Sequence, residues 1–185
     1  MSYDDTLIHI NDASDLTLDP NTACVNAILT ENNKRADYVE EKQPYPDHPD
    51  RFKVSQVLCE EGLTGRHYWE VECPTADVGV AYKSIDRMGD CSRETVFGEN
   101  EKSWCLTFDG FFKHNSPEGF IVRDEFNSFQ NTVGVYLDWP AGILSFFEVG
   151  PDTLTHLYTV STTFNEPLHP GFFIPNGSIY FHKLN

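Results

Sequence analysis

Large apolar and polar side chains alternate at period two across Arg66 to Cys73, as in a strand with one buried and one wet face. Trp69, Val71 and Cys73 share one face; Glu70 and Glu72 share the other, with Tyr68 beside them and its hydroxyl able to reach water. Further along, Val133, Val135 and Leu137 alternate with Thr132, Gly134, Tyr136 and Asp138. Pro140-Ala141-Gly142 then reads as a hairpin turn, and Ile143 to Val149 as the returning strand. Similar short runs recur near 16–18, 26–30, 35–41, 55–60, 77–84, 103–108, 111–115, 120–123, 154–160, 170–174 and 178–183, separated by Gly, Pro, Asn and Asp clusters. No segment holds a 3.6-residue apolar period, and 11 prolines spread along the chain would break long helices. The pattern predicts an all-β, two-layer antiparallel sandwich.

Residues 1–15 are polar and read as a short helix or an extended arm, with Leu7, Ile8 and Ile10 available to dock it. A chain of 185 residues can bury roughly 70% of its unfolded surface around one core, so a single domain over 1–185 is expected. The Pro-rich stretch from Gln43 to Arg51 reads as a loop within that domain.

Thirteen basic against 29 acidic side chains give a formal charge of −16, which repels phosphate backbones and anionic lipid headgroups. Nucleic acid is therefore not an expected partner, and scattered acids on wet strand faces also serve solubility. No apolar run is long enough to cross a bilayer, and Asp4 and Asp5 stand where a secretory signal would carry basic residues. The expected location is the cytoplasm, with no membrane insertion by this domain alone. Cys24, Cys59, Cys73, Cys91 and Cys105 form no CxxC pair, so they suggest neither a disulfide framework nor a zinc site. Cys59, Cys73 and Cys105 sit in strand-like runs and read as buried thiols, whereas Cys91, in a polar loop, is the more reactive candidate.

Motifs for phosphate cradling, serine nucleophiles and helical zinc binding are absent, and the seven histidines show no metal-ligand spacing. The reading is a protein that is not an enzyme, with no cofactor and no metal. The aromatic content, 14% of the chain, is more informative. Trp69, Trp104, Val133, Val135 and Leu137 fall in regular alternation and belong to the core. Phe97, Phe111, Phe112, Phe120, Phe126 and Phe129 lie in or beside irregular stretches rich in Asn, Ser, Gly and acids. Such rings either plug the ends of a sandwich or anchor a partner. Phe111 and Phe112 are adjacent, so within a strand one of them must face away from the core. Asn176-Gly177-Ser178 is a glycosylation sequon that also reads as a tight turn between two strands, the reading favoured here.

An ordered set of segments resembles the PRY-SPRY (B30.2) family, found in tripartite-motif ubiquitin ligases, butyrophilins and many fish immune receptors. Leu18-Asp19-Pro20, Asp50-Arg51-Phe52 and Val57-Leu58-Cys59 resemble the PRY half, about 14–60. Gly65-Arg66-His67-Tyr68-Trp69-Glu70-Val71, Val78-Gly79-Val80-Ala81, Trp104-Cys105-Leu106, the turn at Leu137 to Gly142, and Phe164-Asn165-Glu166-Pro167-Leu168-His169-Pro170-Gly171-Phe172 resemble the SPRY half, about 61–185. Tyr45-Pro46-Asp47-His48-Pro49 and Asp152 to Tyr158 resemble fish members, stonefish-type pore-forming toxins among them. The resemblance implies a concanavalin-like jelly-roll sandwich that recognises a partner protein through variable loops.

By position those loops are Tyr45–Asp50, Thr75–Asp77, Ile85–Asn100, Asp109–Gly119, Asp124–Asn131 and Ile174–Ser178. Candidate contact residues are Tyr45, Asp77, Phe97, Phe111, Phe112, His114, Phe129 and Asn176. Asp77 matches an acidic position that some members use for contact, and could equally cap a turn. Trp139-Pro140 replaces the family's usual Tyr-Glu. The basic pocket of butyrophilin-like members has no counterpart in these loops. The expectation is a monomeric, non-catalytic target-selecting module of a larger innate-immune or ubiquitin-ligase protein. Replacing Phe111 and Phe112 together by alanine should then abolish capture without loss of stability. The alternatives are the assembly domain of a stonefish-type toxin, which would be secreted, and a carbohydrate-binding sandwich.

Overall fold

A computed structural model of the chain describes residues 12–90, 92–122 and 131–184. Thirteen strands form two antiparallel sheets, and no helix occurs among the described residues. In chain order they are β1 (Ala27–Thr30), β2 (Arg35–Tyr38), β3 (Gln56–Leu58), β4 (Arg66–Glu72), β5 (Asp77–Tyr82), β6 (Ser103–Leu106), β7 (Phe111–Lys113), β8 (Phe120–Ile121), β9 (Thr132–Asp138), β10 (Ile143–Val149), β11 (Leu154–Ser161), β12 (Leu168–Phe173) and β13 (Ser178–Phe181). One sheet has the order β1-β2-β13-β4-β9-β10-β11 and the other β3-β12-β5-β6-β7-β8. The run at 16–18 is not a strand but a bridge, Leu18 to Cys59.

Alternation sets the two layers. Register pairs Trp69 with Val135 and Val71 with Val133, so the middle of one face of the larger sheet presents buried apolar side chains to the interior. The smaller sheet answers with Val78, Val80, Trp104, Leu106, Phe112 and Phe172, all in the same buried cluster. Complete burial of side chains of this size stabilises by about 1.5 to 3 kcal/mol each. The PRY strands β1 and β2 join the larger sheet through β13, so this half is built into the sandwich rather than appended to it. Arg51 fastens the loop before β3 by donating to the carbonyls of Pro46, Pro20 and Ala23.

Tyr68 departs from expectation. It is on the face opposite Trp69, but its exposure is 0% and its hydroxyl does not reach water. The ring lies across Gly134, where an added Cβ would stand 2.5 Å from the Tyr68 oxygen, and the hydroxyl donates to Glu70 Oε1 at 2.8 Å. Burial and the Glu70 carboxylate both raise the phenol's pKa.

Cys24, Cys59, Cys73 and Cys105 are buried free thiols; Cys91 and the arm at 1–11 lie outside the described residues. Burial holds the Cys59 and Cys105 thiols well above their usual range and pushes Cys73 up to about 12.

Candidate functional site

The two faces of the smaller sheet differ in how they are covered. On its outer face Gly171 leaves room for a loop to lie close, and Phe97 of the segment 83–102 fills it. Phe97 descends onto Gly171, meets Phe52 edge to face at 6.1 Å and is 1% exposed. Gln56 fixes the same loop, accepting from the Phe97 N–H and donating to the Thr95 carbonyl. Phe97 is therefore a plug, and no partner can reach it.

Beyond this cover the outer face stays open along β7 and β8. Phe111 pairs with Ile121 across the β7–β8 ladder and the two side chains share that face. Ile121 is 58% exposed and Phe111 half-buried. Phe112, one residue on, points inward, is 3% exposed and packs against Tyr158 with ring centroids 4.6 Å apart. One ring of the adjacent pair thus faces away from the core, as alternation requires. The double alanine exchange cannot spare stability, because Phe112 is a core residue.

Strand β6 ends at Leu106, and Thr107 to Gly110 turn the chain into β7. Gly110 takes a positive φ of 88°, which glycine adopts without strain. Thr107 Oγ1 donates to Asp109 Oδ1 and accepts from the Phe111 N–H, which holds the turn and lifts Phe108 outward to 47% exposure. Behind it stands Asp77, the first residue of β5. Its Oδ1 accepts from the Phe108 N–H at 3.1 Å, so the carboxylate both ties β5 to the turn and faces the groove. Desolvation raises its pKa to about 6, against lowering by the Phe108 N–H and by Lys113. Asp77, Thr107, Phe108, Asp109, Phe111, Lys113 and Glu118 line a groove of about 260 Å³.

The candidate residues therefore separate. Asp77 and Phe111 meet in the groove. Asn176 is exposed on the adjacent turn, where Gly177 has φ of 70° and the Thr75 hydroxyl donates to the Asn176 carbonyl at 3.1 Å, so the expected tight turn is present. Tyr45 belongs to the PRY loop: its hydroxyl donates to the Ala27 carbonyl at 2.6 Å and Arg51 stands over its ring. His114 follows β7 but turns away from the groove, its ring stacked 4.5 Å from Trp104 and its Nδ1 against the Ser103 carbonyl. Phe126 and Phe129 lie outside the described residues. Phe108 and Ile121 were not among the candidates. The Asp109-Gly110 pair was the available signal for Phe108, since a turn there ends β6 early and frees the ring from the strand's alternation.

Comparison with known proteins agrees with this architecture. The SPRY-associated PRY family matches residues 16–63 and the SPRY family residues 66–182. Stonustoxin subunit beta of Synanceia horrida is 43% identical over 166 residues, 86% of this chain and 23% of that protein. Tripartite motif-containing protein 16 of Mus musculus is 33% identical over 170 residues, 88% of this chain and 30% of that protein. The crystal structure of the TRIM65 PSpry domain superposes with a TM-score of 0.84 over 99% of this chain and 98% of that one, at 24% identity, which speaks for the fold alone. The chain thus spans less than a third of the length of either curated relative. With the SPRY match covering more than half of its residues, the chain belongs to the SPRY family, carries the PRY segment ahead of it, and is a protein-interaction module.

Proposed function

We propose that the chain is the target-selecting domain of a larger innate-immune or ubiquitin-ligase protein, and that the groove between Asp77 and the β6–β7 turn is its docking surface. The observation that carries this reading is the exposed Phe108 and the half-buried Phe111 set among the polar groups of the groove, with the exposed Ile121 paired beside Phe111. Rings of this kind supply buried area at small entropic cost, and a polar rim supplies hydrogen bonds and excludes water. Any ligase or signalling chemistry would reside in other domains of the full-length protein, and the module acts in the cytoplasm as a monomer.

A matched pair of baits tests the reading: the intact chain, and a form with Phe108→Ser and Phe111→Ser. Both residues stand outside the core, so the two baits should melt within a few degrees of each other. A protein retained from fish cell lysate by the intact form alone supports the groove. Equal retention by both forms moves docking elsewhere.

The higher identity to stonustoxin subunit beta, 43% against 33% for tripartite motif-containing protein 16, favours a second reading. In it this chain is an assembly domain of a secreted toxin, and the groove receives another domain of the same complex. The sequence preceding this segment in the full-length protein discriminates the two.

A further inference from the structure

We infer that the groove at Asp77 takes a basic side chain, arginine in preference to lysine, carried on an otherwise apolar segment of the partner protein; this rests on the docking surface proposed above. Size comes first. At about 260 Å³ the groove is smaller than the pockets of about 300–1,000 Å³ that enclose drug-sized ligands, and it suits one side chain.

Charge selects which one. The Asp77 carboxylate is largely withdrawn from solvent, and among the described residues its one hydrogen bond is the Phe108 N–H on Oδ1, which leaves Oδ2 for an incoming donor. The cation nearest in the groove, Lys113, has its ammonium 3.7 Å from Glu99 Oε1, so it is shared with another acid. Asp109 and Glu118 add two further carboxylates at the mouth. An anionic group would meet three acids in a chain of formal charge −16. A purely apolar group would seal the Asp77 carboxylate away from water with only the Phe108 N–H on it and Oδ2 unmatched, which is unfavourable for an ionised carboxylate. A cation resolves both problems.

The walls refine the choice. Phe108 and Phe111 present aromatic surface beside the acids, and rings attract cations held over their faces. A guanidinium stacks on such a ring while its planar fork of donors meets carboxylate oxygens, which an ammonium does less well. The exposed Ile121 extends the surface for apolar neighbours of the basic residue.

The test is a random 12-residue peptide library displayed on phage, panned against the intact chain after depletion on a form carrying Asp77→Asn, Phe108→Ser and Phe111→Ser. Enriched peptides are then measured by calorimetry. Asp77→Asn keeps an acceptor for the Phe108 N–H, and Asp109→Asn with Glu118→Gln alters exposed positions, so both forms remain folded. The expected peptides carry Arg beside apolar residues. Their affinity falls at least tenfold on Asp77→Asn, and equally when the peptide Arg becomes Gln, and falls roughly threefold on the Asp109/Glu118 double change. Enrichment of peptides without basic residues, or undiminished binding to Asp77→Asn with loss on Phe108→Ser/Phe111→Ser, overturns the basic side chain while leaving the groove as docking surface. Binding unaffected by the two serines overturns both.

Discussion

The Asp77 carboxylate accepts the backbone N–H of Phe108 at 3.1 Å, across the gap between the start of β5 and the β6–β7 turn. A group that shapes the groove is thereby also one of the more heavily desolvated carboxyls of the fold. Its folded pKa of about 6 is above the ordinary value of 3.8, so the native state holds this proton more tightly than the unfolded chain. Stability contributed by the group is present below the unfolded value and is lost as pH rises from about 4 through about 6. Asp77→Asn should accordingly be more stable than the parent at pH 7.5 by roughly 1 to 2 kcal/mol, discounted for the water that reaches the groove, and the gap should narrow below about pH 6 and close towards about pH 4. Thermal melts across that range check it. A variant less stable than the parent at pH 7.5 contradicts the burial.

Adjacent rings should respond oppositely to truncation. Phe112→Ala removes a ring packed against Phe146 and Tyr158 and should cost about 3 to 5 kcal/mol. Phe111→Ala should cost no more than about 1 kcal/mol, as for surface positions. Urea unfolding of the two variants measures the difference directly, and equal losses would place both rings in the core.

Gly134 should resist even a methyl group. A Cβ there would stand 2.5 Å from the Tyr68 oxygen and 3.1 Å from Val149 Cγ2, with Gly134 itself in the middle of β9. Gly134→Ala should destabilise by about 1 to 3 kcal/mol through overpacking. It should also release Tyr68 from Glu70, seen as increased accessibility of a tyrosine in ultraviolet difference spectra.

Cys24, Cys59, Cys73 and Cys105 should all escape a water-soluble thiol reagent at pH 8 in the native state and react once the chain is unfolded. Burial raises the thiol pKa of each, which removes thiolate as well as access. Mass spectrometry of labelled peptides reads each cysteine separately. Native labelling of Cys59 or Cys105 would contradict the packing of the sheets.

Most of the strands were legible because burial on one face imposes period two, and that period survives in the sequences of β4 and β9 without help from context. The run at Leu16 to Leu18 was misread as a strand because its apolar residues are buried by a single bridge to Cys59 and not by a ladder. Tyr68 was placed on the correct face, yet its burial depends on an empty position in a strand 66 residues away, Gly134, which no local window contains. The same holds for Phe97: a ring in a polar loop reads as exposed until Gly171 is known to lie beneath it. Of the site, Asp77 and Phe111 were visible from motif position and strand parity. Phe108 and Ile121 were not, since their exposure arises where β6 ends and where β8 forms the sheet edge.

The most direct test of the docking surface is hydrogen–deuterium exchange of the chain with and without the protein retained by the matched baits. Slower exchange at 107–111 and 74–78, with the far end at 139–142 and 162–166 unchanged, is the expected footprint. Protection confined to that far end, with the amides of Phe108 and Phe111 exchanging as in the free chain, would contradict it.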